Sequence, residues 1–454
     1  MTTQNNEDQI GADRNWIEQQ IAGKVTRFER IGGGGQRMTF MADVLFANGT
    51  TCGYVFQRAA TGPYAGTTLS SLPREASVYR ELSAREFAIP QFAGLAPDRK
   101  AMLSQRVIGS DDFFSLTDEK QKRAVTEDFI AKLAQLHALD PRALQLEDLA
   151  LPPNPSFAKS RVQVWQDLFD RFVTRPAPVV RFALQWMANN APANSGDAVL
   201  CHGDLGPGNF LFDGNRVSAL LDWELVHLGD RHDDLGMLSL RSYQMSGMGN
   251  LAQDLSLYEK FSGVKIDRGL VAYYRVVAIL LGVTTSLTAL DRQQVGRVAI
   301  PLYYHLVPYL QHLLVSALID WAKVDVEEPE LFTATNDVVE SEVLATIIEE
   351  LEDETRHPAS SINMPGLKEL ALHLQARADI GTSIDKAELD DLQHLLGSRP
   401  RSVPAGLRAL DERLLRGDLN DLELLRWSYR HTRRQAQLWP AWRERFAIPL
   451  LPVS

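Results

Sequence analysis

The sequence of 454 residues contains only two cysteines, Cys52 and Cys201. Two cysteines cannot form a disulfide framework, and these two lack the spacing of a metal-binding pair. Such scarcity is typical of a protein kept in a reducing compartment, so we expect a cytoplasmic protein. The first sixteen residues, MTTQNNEDQIGADRNW, contain no apolar run, and we predict no secretory signal in them.

Positive charge is also scarce, because 47 Lys and Arg residues face 58 Asp and Glu residues and leave a net charge of −11. The chain therefore lacks the basic excess that binds nucleic acid. Long apolar runs are rare as well. The most apolar window, Val276–Leu290, is interrupted by Gly and Thr, and we interpret it as a buried helix too short to span a membrane. We expect neither nucleic acid nor a membrane among the partners.

One stretch, from Val199 to Leu235, concentrates side chains that can do chemistry. It reads VLCHGDLGPGNFLFDGNRVSALLDWELVHLGDRHDDL. Two short apolar segments around an Asp-Gly-Asn turn predict a β-hairpin with Asn209 at its start and Asp222 at its end. Oxygen ligands from these two residues suit Mg²⁺. Asp204, five residues before Asn209, is placed to face an acceptor hydroxyl and to accept its proton.

A second hairpin is predicted near the N-terminus, from β-rich segments at residues 39–46 and 51–57 joined by the turn Ala47-Asn48-Gly49. Four glycines precede it. The backbone of glycines in such a loop can approach a phosphate closely, although a merely flexible loop explains the run equally well. The candidates for phosphate contact are Gly33, Gly34 and Gly35.

The end of this hairpin, Gln57-Arg58, is where a kinase-like nucleotide site places a lysine that pairs with a helix glutamate. Periodicity leaves the register uncertain by one residue, so either side chain is a candidate, and a solvated strand-end arginine is the alternative. Glu75, in the first turn of a helix predicted at Pro73–Leu82, is the natural ion-pair partner, although a helix N-terminus also favours Glu through its dipole.

The segment Leu103–Gly109 reads as a strand that runs into a connector. In a two-lobed nucleotide enzyme this connector would be the hinge, with backbone groups of Gln105 and Val107 available to an adenine.

The combination of HGDLGPGN, DWE and GDRHDDL resembles the aminoglycoside phosphotransferase-like family, which has a protein-kinase-like fold. The resemblance covers roughly residues 25–320. It implies that ATP is the donor and Mg²⁺ the cofactor, with Asp204 as the base and Asn209 and Asp222 as metal ligands. It also implies supporting roles: His202 holds the loop, Glu224 touches or flanks the site, and two later aspartates, Asp230 and Asp234, brace the C-lobe.

The chief departure from the family is Gln57, because relatives usually have Lys or Arg at that position. Arg58 would have to replace it. A nucleotide-binding regulator without activity is therefore one alternative function.

The resemblance predicts an α+β protein with a β-rich N-lobe and a mostly helical C-lobe, followed by an all-α domain. Residues 325–354 contain 12 acidic residues and no Lys or Arg, which predicts an acidic helix after a linker. Further helices are predicted at 367–378, 385–396, 404–415 and 420–437. This part resembles a small helical companion of such phosphotransferases. The predicted segments are 1–24 leading, 25–108 N-lobe, 109–322 C-lobe, 323–335 linker and 336–454 accessory domain.

The predicted function is a small-molecule kinase that phosphorylates a hydroxyl group. The GGGGQRMTF loop, the DWELVHLGD run and the helical companion are similar to the branch of kinase domains associated with acyl-CoA dehydrogenases. That similarity makes a hydroxyacyl-CoA thioester the leading acceptor, and an aminoglycoside or another antibiotic is the alternative. A homo-oligomer is a further expectation, with the accessory domain as one place for its contacts.

Overall fold

The computed structural model describes residues 3–31, 37–59, 71–152, 156–194, 196–244, 250–291, 300–333, 344–345, 347–348, 364–440, 443–448, 450 and 453. Two predicted features lie outside these residues, namely the phosphate-binding glycines Gly33, Gly34 and Gly35 and most of the acidic helix.

The chain forms two compact units. One comprises Met1–Pro153, Asn194–Val271 and Val453–Ser454, and the other comprises Asn154–Ala193 and Ala272–Pro452. Residues 154–193 fall in the second unit because their helices pack on the later helices of the chain. The predicted domain boundaries follow the sequence and not this packing, and they stay a prediction.

The first unit begins with helix α1 (Thr3–Ile21), followed by a five-stranded antiparallel sheet with the strand order β1-β2-β3-β5-β4. Helix α2 (Leu72–Ser83) starts at Ser71, whose side chain accepts a hydrogen bond from the Arg74 N–H, a typical N-cap. The strands are β1 (Lys24–Ile31), β2 (Arg37–Leu45), β3 (Thr51–Ala59), β4 (Phe92–Leu95) and β5 (Ala101–Gln105).

Side chains alternate between the two faces of the β2–β3 hairpin, in which Phe40 lies opposite Phe56. Phe40 and Phe56 are buried on the face that packs with Ile17 of α1. Arg58, two residues after Phe56, shares this face because successive side chains of a strand alternate. Its Nε donates to Asp13 of α1 at 2.8 Å, and its Nη1 donates to Asp98 at 2.8 Å.

In the residues that the structure describes, the rest of the first unit contains three α-helices and four short strands. Strand β6 pairs with β9, and β7 pairs with β8, in both cases antiparallel. The elements are α3 (Glu119–His137), β6 (Val199–Cys201), β7 (Phe210–Asp213), β8 (Arg216–Leu220), β9 (His227–Gly229), α6 (Arg231–Gln244) and α7 (Leu251–Ser262). The predicted hairpin between Asn209 and Asp222 is therefore present as β7–β8.

The second unit is helical in the residues that the structure describes. Among its helices, α8 is long and apolar enough to cross a membrane by composition alone, but 78% of its most apolar window is buried, which is the state predicted for a core helix. The helices are α4 (Phe157–Phe172), α5 (Pro178–Asn189), α8 (Arg268–Asp291, whose first residues belong to the first unit), α9 (Ile300–Ala322), α10 (Met364–Leu396), α11 (Val403–Leu414), α12 (Asp421–Gln437) and α13 (Arg443–Ala447).

Helix α10 differs from the sequence prediction, which divided it into two helices. The residues between the two predicted helices, including Gly381, remain helical. Ile380 and Ile384, at helical i,i+4 spacing, are buried, so packing outweighs the weak helix propensity of this segment. The basic face of α12 pairs with α10, because Arg434 donates to Glu388 at 3.0 Å and to Asp391 at 2.8 Å.

Arg58→Met is expected to lower the free energy of unfolding by about 3 kcal/mol, because it leaves the buried carboxylate of Asp13 without its partner. The control is Arg27→Met on β1, which removes an exposed ion pair with Glu29 and should change the free energy of unfolding far less, because solvent screens exposed ion pairs. Urea unfolding measures both values. Equal losses in the two variants would contradict the structural role of Arg58.

Candidate active site

The loop between β6 and β7 carries His202, Asp204 and Asn209. The Asn209 amide Nδ2 donates to the backbone oxygen of Asp204 at 2.7 Å and to its carboxylate Oδ2 at 2.9 Å. Gly203 has a φ of +89°, and a Cβ there would lie 2.4 Å from the backbone oxygen of Leu225, so only glycine fits. The loop thus holds the predicted base and one predicted metal ligand in direct contact.

The β7–β8 hairpin brings Asp222 to the same end as Asn209. Phe210 lies opposite Leu220, and the Leu221 N–H donates to the backbone oxygen of Asn209 at 2.8 Å. Asp222 follows with a left-handed backbone, φ +60° and ψ +63°. Asp tolerates this conformation better than most residues, and strain of this kind is often found at functional sites.

Asp222 lies in a group of mutually repelling carboxylates. Although Asp222 is exposed by its accessible surface, partial desolvation by the surrounding protein, and then the charges of Glu75 and Asp204, raise its pKa to about 6. Burial and then the charge of Asp222 raise the pKa of Glu224 to about 8. Glu224 therefore touches the site electrostatically, and its backbone oxygen is held by Arg74 of α2 at 2.6 Å.

These side chains fit a divalent cation. Asp222 and Glu224 supply carboxylate oxygens, and the Asn209 amide oxygen is left over when Nδ2 is bound to Asp204. An oxygen-only donor set suits Mg²⁺, and a bound dication would offset the repulsion that raises both pKa values. The assignment of Asn209 and Asp222 as metal ligands stays a prediction with this support.

The ion pair predicted for Glu75 forms, but with a different partner. Arg37, the first residue of β2, donates from Nη1 to the Glu75 carboxylate, and both side chains are buried. Arg58 lies on the opposite face of the sheet, bound to Asp13 and Asp98. The assignment of Arg58 to the nucleotide phosphates is corrected accordingly, since its direction follows from strand alternation.

A second cation contacts the predicted base. Arg241 of α6 donates from Nη2 to Oδ1 of Asp204 at 2.6 Å, and both side chains are about one-fifth exposed. Asn209 binds the other carboxylate oxygen. Asp204 is therefore oriented by donors on both oxygens, and each oxygen retains a lone pair for a hydroxyl.

The remaining motif residues hold the loop in place. Asp234 accepts the backbone N–H groups of His202 and Gly203, both at 2.8 Å, and contacts His137 Nε2 at 3.0 Å. His137 Nδ1 is bound in turn to the Tyr258 hydroxyl at 2.7 Å. Burial would raise the pKa of Asp234, but the hydrogen bond from His137 is the largest of the contributions that lower it below its ordinary value.

His202 and Asp230 also support the fold. The His202 ring contacts the backbone oxygen of Leu221 at 2.8 Å, and burial lowers its pKa, which favours the neutral ring. Asp230 contacts His232 at the start of α6, with its Oδ1 3.0 Å from the His232 N–H and 2.6 Å from Nδ1.

His137, Cys201 and Asp234 present ligand atoms within 4.8 Å of one another. Because both ring nitrogens of His137 already have partners, this group is part of the scaffold and not a metal site.

In the connector after β5, the N–H groups of Gln105 and Arg106 are already hydrogen-bonded, whereas the backbone of Val107 is available to a ligand. The Gln105 N–H donates to the backbone oxygen of Gln91 at 2.8 Å, and the Arg106 N–H donates to that of Gly53 at 2.9 Å. Within the described part of the chain, the backbone of Val107 has no such bond. The predicted contact of Gln105 and Val107 with an adenine stays a prediction.

Sequence reasoning missed Arg37 and Arg241. Arg37 stands directly after the glycine run and Gln36, so its position beside a phosphate loop was visible. Arg241 lies 37 residues beyond Asp204 on a helix, and no spacing in the motif indicates their contact.

Comparison with known families gives one match to this part of the chain. The model of the phosphotransferase enzyme family APH matches residues 41–263, which include Asp204, Asn209 and Asp222.

Acyl-CoA dehydrogenase family member 11 of Homo sapiens is 29% identical over 161 residues, which is 34% of this chain and 20% of that protein. The protein of the same name from Gallus gallus is 34% identical over 108 residues, 23% of this chain and 14% of that protein. The matched segment thus spans about a fifth or less of these relatives.

A solved structure from Ralstonia eutropha JMP134, of a protein proposed to be an aminoglycoside phosphotransferase, has a TM-score of 0.53 at 20% identity. The alignment covers 69% of this chain and 97% of that one. At this identity the likeness concerns the fold, and it confirms the predicted kinase-like α+β class.

Without a divalent cation, the stability of the protein should fall as the pH rises from about 5 to about 9. The raised pKa values of Asp222 (about 6) and Glu224 (about 8) mean that the folded state holds protons which the unfolded chain has released. Their contribution is complete below the unfolded pKa of about 4 and is lost as the pH rises through these values.

Thermal unfolding with EDTA measures this loss. Glu224→Gln should remove the decline between about pH 7 and pH 9, and adding Mg²⁺ at high pH should restore stability to the unsubstituted protein. A decline that is the same in both proteins would show that other groups cause it.

Proposed function

We propose that the chain, whose residues 41–263 match the model of the phosphotransferase enzyme family, transfers the γ-phosphoryl group of ATP to a hydroxyl group of a small molecule, with Mg²⁺ as cofactor. The family match confirms the predicted class of enzyme, a small-molecule kinase. The donor, the metal and the acceptor belong to the proposal.

The observation that carries the proposal is the contact of Asn209 with Asp204 at the end of the hairpin that also bears Asp222. A phosphoryl transfer site needs a carboxylate that faces the attacking hydroxyl and oxygen ligands for a metal that binds the phosphates. The residues proposed for both tasks lie on one loop and the hairpin that follows it.

In the proposed reaction the acceptor hydroxyl oxygen forms a bond to the γ-phosphorus, while the bond from that phosphorus to the β–γ bridging oxygen breaks. ADP leaves with the bonding electron pair, and the hydroxyl proton passes to the Asp204 carboxylate. Mg²⁺ would neutralise charge on the phosphate oxygens. Arg241 and Asn209 each donate a hydrogen bond to one oxygen of Asp204, so the carboxylate is held in a fixed orientation toward the hydroxyl whose proton it accepts.

We propose a hydroxyacyl-CoA thioester as the acceptor. The curated relatives are named as acyl-CoA dehydrogenase family members, which supports a CoA thioester. Arg241 supports it independently, because a guanidinium beside Asp204 favours carbonyl or anionic oxygens near the reacting hydroxyl.

The same proposal places the enzyme in the cytoplasm, where its two cysteines would stay reduced and where ATP and CoA thioesters occur. Association with a second copy of the chain is part of the proposal.

Asp204→Asn is expected to reduce kcat by about 100-fold or more, since the variant loses the proton acceptor, while ATP binds as before. The matched control is Asp213→Asn in the exposed turn of the same hairpin, which should leave kcat unchanged. Steady-state kinetics and ATP titration measure the two properties. Unchanged turnover in the Asp204 variant would exclude it as the proton acceptor.

ADP release should be accelerated by hydroxyacyl-CoA thioesters and not by aminoglycosides, in a coupled assay of the Mg²⁺-loaded protein. The control compound is the acyl-CoA that lacks the hydroxyl, because it can bind but cannot accept phosphate. Acceleration by an aminoglycoside would favour an antibiotic kinase. ATP binding without acceleration by any acceptor in a panel that includes sugars would favour a regulator without activity.

A further inference from the structure

The two faces of the β2–β3 hairpin carry different arginines. Thr39 lies opposite Gln57, and Arg37 lies opposite Ala59. Phe40 and Phe56, which also lie opposite each other, project from the other face of the hairpin because side chains alternate along a strand. Arg37 and Gln57 therefore share the face away from α1, and they are diagonal neighbours across the two strands. Arg58, on the α1 face, is the wrong arginine for a nucleotide that binds on the face of Gln57.

Arg37 is buried but only partly satisfied. Its side chain is 7% exposed, and Nη1 donates to the Glu75 carboxylate. Nη2 is buried without a hydrogen-bond partner in the described part of the chain, and so is the second oxygen of Glu75. An orphaned buried donor costs roughly 1–3 kcal/mol, and a bound anionic oxygen would remove that cost.

Arg37 also lies in the electrostatic field of the candidate metal site. Burial would lower the pKa of Arg37, but Glu75, Glu224 and Asp222 raise it above its ordinary value. Its charge is therefore fixed where a metal-bound phosphate chain would lie. Glu75 is the helix glutamate that a kinase-like site uses, while its partner comes from β2 and not from β3.

We propose that Arg37 binds the phosphates of the nucleotide donor and thereby takes the role of the basic residue usually found on β3, where this chain has Gln57. The proposal rests on the proposed function, because it assumes that a nucleotide occupies this face. Arg37 is then a substrate-contacting residue, and Glu75 positions its guanidinium. It also removes the main reason to regard the chain as inactive, since the missing strand-end cation is supplied from the neighbouring strand.

The test compares the binding of ATP and adenosine, both measured by calorimetry with Mg²⁺ present. Arg37→Met should weaken ATP binding by about 10- to 100-fold, the equivalent of a charge-assisted hydrogen bond, and leave adenosine binding unchanged. The double variant Arg37→Met/Glu75→Gln removes both partners and avoids an unpaired buried carboxylate, so it should fold and show the same selective loss. Arg30→Met, at an exposed position of β1, controls for the loss of one positive charge.

A second experiment moves the cation back to β3. Gln57→Lys in the Arg37→Met background should restore at least tenfold of the lost ATP affinity, because residue 57 lies on the same face and next to Arg37. An ATP affinity that stays at the level of Arg37→Met would contradict the equivalence of the two positions.

The outcomes separate this inference from the proposed function. ATP binding that survives Arg37→Met, or parallel losses of ATP and adenosine binding, would overturn the role of Arg37 and leave the kinase proposal standing. An unsubstituted protein that binds neither ATP nor adenosine would overturn the kinase proposal itself. Selective loss of ATP binding, restored by Gln57→Lys, supports the inference even before an acceptor is identified.

Discussion

Repulsion among four carboxylates governs the candidate site. Glu75, Asp204, Asp222 and Glu224 act on one another strongly enough to raise the pKa values of the last two. Such a cluster is unfavourable unless positive charge is brought to it. Arg37 pairs with Glu75, and Arg241 pairs with Asp204. The remaining side-chain oxygens, those of Asn209, Asp222 and Glu224, suit a divalent cation. The sheet, the loop and the hairpin each contribute one part of this balance.

A separate group of side chains maintains the geometry. The loop that carries Asp204 is held through its backbone by Asp234, which is fixed by His137, which is fixed in turn by Tyr258. This chain of hydrogen bonds links the loop to α3, α6 and α7. It consists of the buried side chains of Asp234, His137 and Tyr258, whose polar atoms are hydrogen-bonded to one another or to the loop backbone. The candidate side chains can therefore remain partly exposed and electrostatically strained while hydrogen bonds fix the backbone beneath them, which is the condition for preorganised catalysis.

Sequence reasoning predicted the parts of the site that depend on local spacing. The hairpin ends bring Asn209 and Asp222 together because strand pairing has a fixed register, and the motif resemblance agrees with the family match and the fold. The roles of Asp204 and the metal ligands stay predictions. Contacts between distant segments were not predictable. Arg241 contacts Asp204 from helix α6. Whether Gln57 or Arg58 lies on the same face of the sheet as Arg37 is determined only by the pairing of β2 with β3. Most of the acidic segment, and the glycine run, lie outside the described residues.

Helix α1 has to be kept in any shorter fragment of this chain that is meant to retain the candidate active site. The motif resemblance begins near residue 25, and a fragment started there would omit Asp13 and Ile17. Phe56 would then lose its packing against Ile17, and Arg58 would lose its ion pair with Asp13. Both residues lie on β3, on the face opposite to that of Gln57. The smallest fragment that preserves the surface proposed to bind the nucleotide must therefore include helix α1, although α1 packs against the opposite face of the sheet.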